Sequence, residues 1–225
     1  MKVLIFGATG MVGHGVLREC LLAKDVDSVT TVGRSLVDVQ DPKLHQVTVP
    51  DLFDIDSFTD ALAGVDACFF CLGVQSSGLS EQAYTRLTHD LTLLIAARLA
   101  QMNPVATFIY VSGAGTDETE AGNSMWARVK GRTENDLQAL PFGAVHLFRP
   151  AAILPVHGET SKTAAYRIFY SAFGWLLRPL RWVSGGYILT TEEVGQAMLR
   201  VTRCGWSSAI LDAPQIRKAA RVQHN

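Results

Sequence analysis

Gly7, Gly10 and Gly13 stand three residues apart in LIFGATGMVGHG, residues 4–15, directly after an apolar run and before a plausible helix. Between a strand and a helix, this spacing suits the binding of a phosphate by main chain. The first glycine allows a tight turn, the second lets backbone N–H groups approach a pyrophosphate, and the third lets the helix pack on the strand. The helix N-terminus adds unpaired donors and partial positive charge, so Thr9, Met11 and Val12 join the glycines as candidate contacts. Glycine also gathers in ordinary turns, and the triplet alone is weak. Its context, with a strand before and a helix after, makes a dinucleotide the expected ligand.

The end of the second apolar run bears on which dinucleotide. NAD sites normally carry an acidic residue about 20 residues beyond the glycines, on the ribose 2′-hydroxyl. Here TVGRS puts Gly33 and Arg34 in that place. A guanidinium fork clamps a 2′-phosphate, with Ser35 beside it, so NADP(H) is expected over NAD(H). A solvated loop arginine is the competing reading. Asp51 and Leu52 in VPDLFD are candidates for the adenine end, although Asp51 equally suits a turn or helix cap. Leu72 and Gly73 in CLG follow the fourth run, where a small residue would let the cofactor pass.

The elements that must position these residues alternate along the chain. Apolar or β-branched runs predict strands at 2–6, 28–33, 45–49, 66–72, 106–111 and 143–148, and helical spacing predicts helices over 11–23, 80–101 and 123–140. Near-continuous apolar stretches such as CFFCL imply burial on both faces. The expected fold is therefore α/β, a doubly wound parallel sheet of Rossmann type with helices on both faces. At 225 residues, 48% of them apolar, one domain over 1–225 is expected, with 151–190 as a small substrate-side lobe. Within that lobe 163–182 is apolar and studded with arginines. Its apolar stretch 168–177 is far below the roughly 20 residues that span a bilayer. In descending order, this surface would cover an apolar substrate, form a dimer contact or lie on lipid. Monomer and homodimer both stay open.

Composition excludes other classes. The net charge is -1 and the 20 basic residues are scattered, so no nucleic-acid partner is expected. Cys68 and Cys71 fall three apart in a strand-like run, hence on opposite faces, and buried free thiols are expected rather than a metal or redox pair. The six histidines show no ligand spacing, and no metal site is expected. HGETSKT, residues 157–163, lacks the glycine that a phosphate loop needs before Lys162. MKVLIFGATG has too short an apolar run for a signal segment, so a cytoplasmic location is expected.

The motifs GATGMVG, VGRS, CLG, VSGAG, VKGRTE and FRP occur in the order of the short-chain dehydrogenase/reductase superfamily, in its atypical branch, and the resemblance covers most of the chain. More closely, CLGVQSSG, RLTHD, VSGAGTD, VKGRTENDL and FRPAAIL resemble the Tat-interacting, NADPH-binding oxidoreductase-like proteins and bacterial sequences labelled epimerase or dehydratase. The resemblance implies Gly7, Gly10 and Gly13 at the pyrophosphate, Arg34 at the 2′-phosphate and Gly73 beside the adenosine, with Pro150 of FRP at the cofactor. It implies Ser112 as the substrate-orienting serine and Lys130 as the lysine of the Tyr-x-x-x-Lys pair, on the nicotinamide ribose. Two positions depart from the pattern. Trp126 stands four before Lys130 where the tyrosine belongs, and Thr88 stands where an asparagine is common.

An indole N–H is no general acid or base. Oxidoreduction of a simple alcohol and epimerisation of a sugar both need proton transfer at oxygen, so the missing phenol disfavours them. Hydride transfer to a conjugated acceptor is less demanding. The expected function is NADPH-dependent reduction of a quinone, flavin or enone, with Trp126 as a pocket wall. The alternative is a protein that senses NADPH or scaffolds a partner without turnover.

Overall fold

Val3 and Ile5 pack into one hydrophobic layer and Leu4 and Phe6 into another, and all four are buried. A strand covered on both faces has this signature. The computed structural model describes residues 1–157 and 186–221. Within it β1 (Lys2–Phe6) is central, with β2 (Ser28–Gly33), β3 (Leu44–Thr48), β4 (Ala67–Phe70), β5 (Thr107–Val111) and β6 (Ala144–Arg149) in one sheet. The order is β3-β2-β1-β4-β5-β6, closed at the β6 edge by a seventh strand, Ile210–Asp212, and each pairing is parallel. This is the expected doubly wound Rossmann sheet. The order reverses between β1 and β4, which opens a crevice at the carboxyl ends of the strands.

Helices cover both faces. One layer holds α1 (Met11–Leu22) and two C-terminal helices, Thr191–Cys204 and Ala213–Arg221; the other holds α3 (Leu91–Met102) and residues of α4 (Met125–Gln138). The single helix expected over 80–101 is in fact α2 (Glu81–Thr85), a wide π turn at Arg86–Asp90 and then α3. The strand expected over 66–72 stops at Phe70, which frees Cys71 to Gly73 to line the crevice. Cys68 joins one layer and Cys71 packs against the other, as their spacing requires. Cys20 and Cys68 are buried, Cys71 is half-buried where full burial was expected, and Cys204 is exposed at the end of its helix.

After β6 the chain forms β7 (Ala152–Leu154), and it returns as β8 (Ile188–Thr190) in a separate parallel pair with β7. Thr190 then caps the helix Thr191–Cys204, here α5, in a reciprocal box with Glu193, and the seventh strand, β9, leads into α6 at Ala213–Arg221. The stretch 163–182 and most of the expected lobe lie outside the described residues. Among the described residues no helix is long and apolar enough to cross a membrane.

Candidate functional site

The glycine loop is built as its spacing implies. Gly7 has φ +81°, and a β-carbon there would stand 2.7 Å from the backbone of Cys71 and Leu72. At Gly13 a β-carbon would meet the Gly7 carbonyl oxygen at 2.2 Å, so the third glycine brings α1 onto the loop. Gly10 is the N-cap of α1 and supplies no side-chain cap, which leaves the amides of Met11 and Val12 at an uncapped helix start. Met11 and Val12 themselves pack toward the core.

Three strand ends meet around a cleft of about 420 Å³. Gly7 to Gly10 form its floor, Thr31 to Ser35 one wall, and Cys71 to Gly73 the other, with Leu52 beside them. Gly33 and Gly73 also line it, and neither has a positive φ. A β-carbon would meet nothing within 4 Å at Gly73, and only the Ser35 carbonyl oxygen at 3.9 Å at Gly33. Neither glycine is demanded by the fold, and a side chain at either would take up cleft space. Arg34 is exposed on the wall and makes no hydrogen bond or ion pair with the described residues. An uncapped helix start, a guanidinium with no partner among the described residues and glycines that keep space open fit the phosphates of a dinucleotide.

The arginine loop is held by a residue that sequence reading missed. Gln46 on β3 accepts from the Val37 N–H at 2.8 Å and donates to the Val37 carbonyl at 3.2 Å. A lone glutamine in an otherwise strand-like run is a faint signal, and only tertiary contact gives it meaning. Gln46→Leu is expected to weaken NADPH binding about tenfold, since two hydrogen bonds of about 0.5–1.5 kcal/mol each hold the loop that presents Arg34. Fluorescence titration checks this. Asp51 is not part of the cleft wall; its carboxylate accepts from the Phe53 N–H at 3.0 Å, the turn role that its position allowed.

The residues expected around the nicotinamide gather at the next strand ends. The Ser112 amide and hydroxyl both donate to the Phe148 carbonyl, at 2.9 and 3.2 Å. Pro150 is buried, and its carbonyl accepts from the Ala114 N–H at 2.8 Å, fixing the loop after β5. Against that loop lies the half-buried indole of Trp126, 3.4 Å from where a β-carbon on Gly115 would stand. Lys130, one turn later on α4, reaches the Val111 carbonyl at 3.5 Å and sits 5.4 Å above the Tyr110 ring. Burial pushes its ammonium down to about 8, against the carboxylate of Glu134, which raises it. Thr88, in the wide turn, is buried beside the Tyr84 phenol without reaching hydrogen-bond geometry.

Residues 7–139 match the family described as NAD(P)H-binding, more than half of the chain. The chain belongs to the NAD(P)H-binding family. Protein HTATIP2 of Rattus norvegicus is 28% identical over 202 residues, 88% of this chain and 79% of its own. Protein FMP52-2, mitochondrial, of Scheffersomyces stipitis is 29% identical over 161 residues, 70% of this chain and 67% of its own. Among solved structures, an oxidoreductase (short chain dehydrogenase/reductase family) from Burkholderia thailandensis superposes with a TM-score of 0.67 at 17% identity, covering 97% of this chain and 92% of that one. The resemblance to atypical short-chain dehydrogenase/reductases read from the motifs holds. This NAD(P)H-binding chain keeps the superfamily's doubly wound fold.

Proposed function

We propose that the chain is an NADP(H)-preferring oxidoreductase that reduces a conjugated small molecule such as a quinone, flavin or enone. The observation that carries this is Trp126, packed on the loop after Ser112 and one helical turn from Lys130. When bound, NADPH supplies a hydride. The glycine loop and the start of α1 would hold its pyrophosphate, Arg34 its 2′-phosphate and Lys130 its nicotinamide ribose. Trp126 would stack on a flat acceptor and exclude water. A conjugated acceptor spreads the incoming negative charge over its π system, so it tolerates the loss of a phenol that a simple ketone would need.

The test is steady-state NADPH oxidation across quinones, flavins, enones and simple ketones. Turnover is expected with one of the first three classes and negligible with the last. Trp126→Phe should keep much of that turnover, and Trp126→Tyr should gain weak ketone reduction. Robust ketone reduction by the wild type would refute the preference for a conjugated acceptor.

A second reading, NADPH sensing or scaffolding without turnover, draws on Ser112, whose hydroxyl is spent on Phe148 rather than offered to a ligand. NADPH binding with no turnover on any acceptor would favour it. Sugar epimerisation or dehydration ranks lower, because each moves a proton at oxygen. Either reading takes 1–225 as a single domain with 151–190 on the substrate side, acting as monomer or homodimer in the cytoplasm.

A further inference from the structure

We propose that Lys130 is itself the proton donor to the reduced acceptor, through its Nζ. The proposal rests on the reductase reading above and supplies what that reading leaves open, the source of the proton.

Position comes first. Val111 is the last residue of β5, and its carbonyl holds Nζ at the carboxyl edge of the sheet, one strand from the β4 end that lines the dinucleotide cleft. The Tyr110 ring supports the ammonium from below. An ammonium carries three N–H donors. Among the described residues Lys130 uses one, at 3.5 Å, near the limit of a hydrogen bond. No carboxylate among the described residues pairs with it. Glu134, one turn later on α4, is engaged by the Arg149 guanidinium from β6.

Among the described residues, the other donors nearby are spent or shut in. The Ser112 hydroxyl donates to Phe148, and the Trp126 indole cannot supply a proton. Tyr84 and Tyr110 are buried, and burial raises both phenols. His89 lies with its ring nitrogens 2.8 Å from Asp90 and from Asp136, on the outside of the π turn. Among the described residues, the charged and titratable groups facing Lys130 are thus Glu134 on its own helix, Arg149 behind that carboxylate, and Tyr110 on the strand. The ammonium, lowered to about 8 by burial, holds its proton at neutral pH and can release it to a stronger base.

The balance is simple. The hydride brings two electrons to the acceptor and leaves negative charge on its oxygen. An Nζ–H bond of Lys130 then breaks, an O–H bond forms on that oxygen, and the neutral amine recovers a proton from water.

Cyclohexenone and menadione serve as probes with NADPH between pH 6 and 10. In the wild type, kcat is expected to be level below about pH 8 and to fall tenfold per unit above it, with a solvent deuterium isotope effect. Lys130→Arg keeps the cation for cofactor binding but does not release a proton in this range. It should bind NADPH within a few-fold of wild type, lose about 10²- to 10³-fold in kcat, and lose the inflection. A second readout needs no turnover. After reductive ¹³C-methylation, the chain's six lysines give few resonances, and the one absent from Lys130→Arg should titrate near 8. A working reductase without the inflection, or a Lys130→Arg variant with wild-type rate and profile, overturns the assignment and leaves the reductase reading intact. A resonance titrating above 10 overturns it as well. Absence of turnover with every acceptor removes the reductase reading and this proposal together.

Discussion

Arg149→Met is expected to destabilise the fold by about 3–5 kcal/mol, the usual consequence of stripping one partner from a buried ion pair. Glu134 has no exposed surface, and Arg149 is only 16% exposed. The Arg149 Nε lies 3.1 Å from each Glu134 carboxylate oxygen, its Nη2 approaches Oε2 more closely still, and Nη2 also reaches Glu118 at 3.3 Å. These contacts raise the guanidinium pKa further, the Glu134 hydrogen bond most. Methionine fills much of the volume and leaves the carboxylate in the core without its cation. Urea unfolding should show the midpoint falling with an unchanged slope. Arg149→Met with Glu134→Leu should recover most of the loss, because an apolar pair of similar size is often as stable as the ion pair it replaces. A single variant within about 1 kcal/mol of wild type would show that solvent already reaches the carboxylate. A second consequence reaches the site. With Arg149 gone, Glu134 acts undivided on Lys130 one turn away, and the kcat inflection should move above 8.

Arg34→Asp is expected to reverse the order of cofactor affinity. The wild-type guanidinium is exposed, unpaired among the described residues and set on the wall of the cleft, so a 2′-phosphate there would meet a donor fork that no described residue occupies. A charge-assisted contact of this kind is worth about 1.5–3 kcal/mol, roughly one to two powers of ten in affinity. Aspartate removes it, repels a 2′-phosphate and accepts from a 2′-hydroxyl, so NADH should overtake NADPH. Parallel fluorescence titrations of the two cofactors decide the matter. Equal wild-type affinities would show that Arg34 does not act on the phosphate.

The first six strands were legible because each is an apolar run buried on both faces, and their ends fall within two residues of expectation. The glycine loop was legible for a related reason. A turn that closes within 2.7 Å of a neighbouring backbone leaves no residue but glycine, so geometry is written directly into residue type. The π turn at Arg86–Asp90 left no such trace, since one wider turn barely disturbs helical spacing. Nor did β7, β8 and β9, which have three residues each and are too short for any period to show. The helix after Thr190 could have been found from TTEE, where threonine and a glutamate three residues on form the capping box. Of the site, Gly7, Gly13, Gly33, Arg34 and Gly73 were legible by type and spacing. Gln46 was not, because its role depends on a loop nine residues away in sequence. Ser112, Trp126 and Lys130 were legible only through the family resemblance, since nothing in a lone serine or lysine announces a strand end.

The small β7–β8 ladder has a consequence for how such proteins diversify. Ala152 pairs with Ile188 and Leu154 with Thr190, so the chain leaves the dinucleotide-binding half and re-enters it at neighbouring points. The intervening stretch is thereby a cassette with fixed terminals. Lengthening a closed chain segment costs only about 0.6 kcal/mol per doubling in closure entropy, and the re-entry point is secured by its own cap on α5. A segment of another length between β7 and β8 is therefore expected to leave the nucleotide half folded as it is.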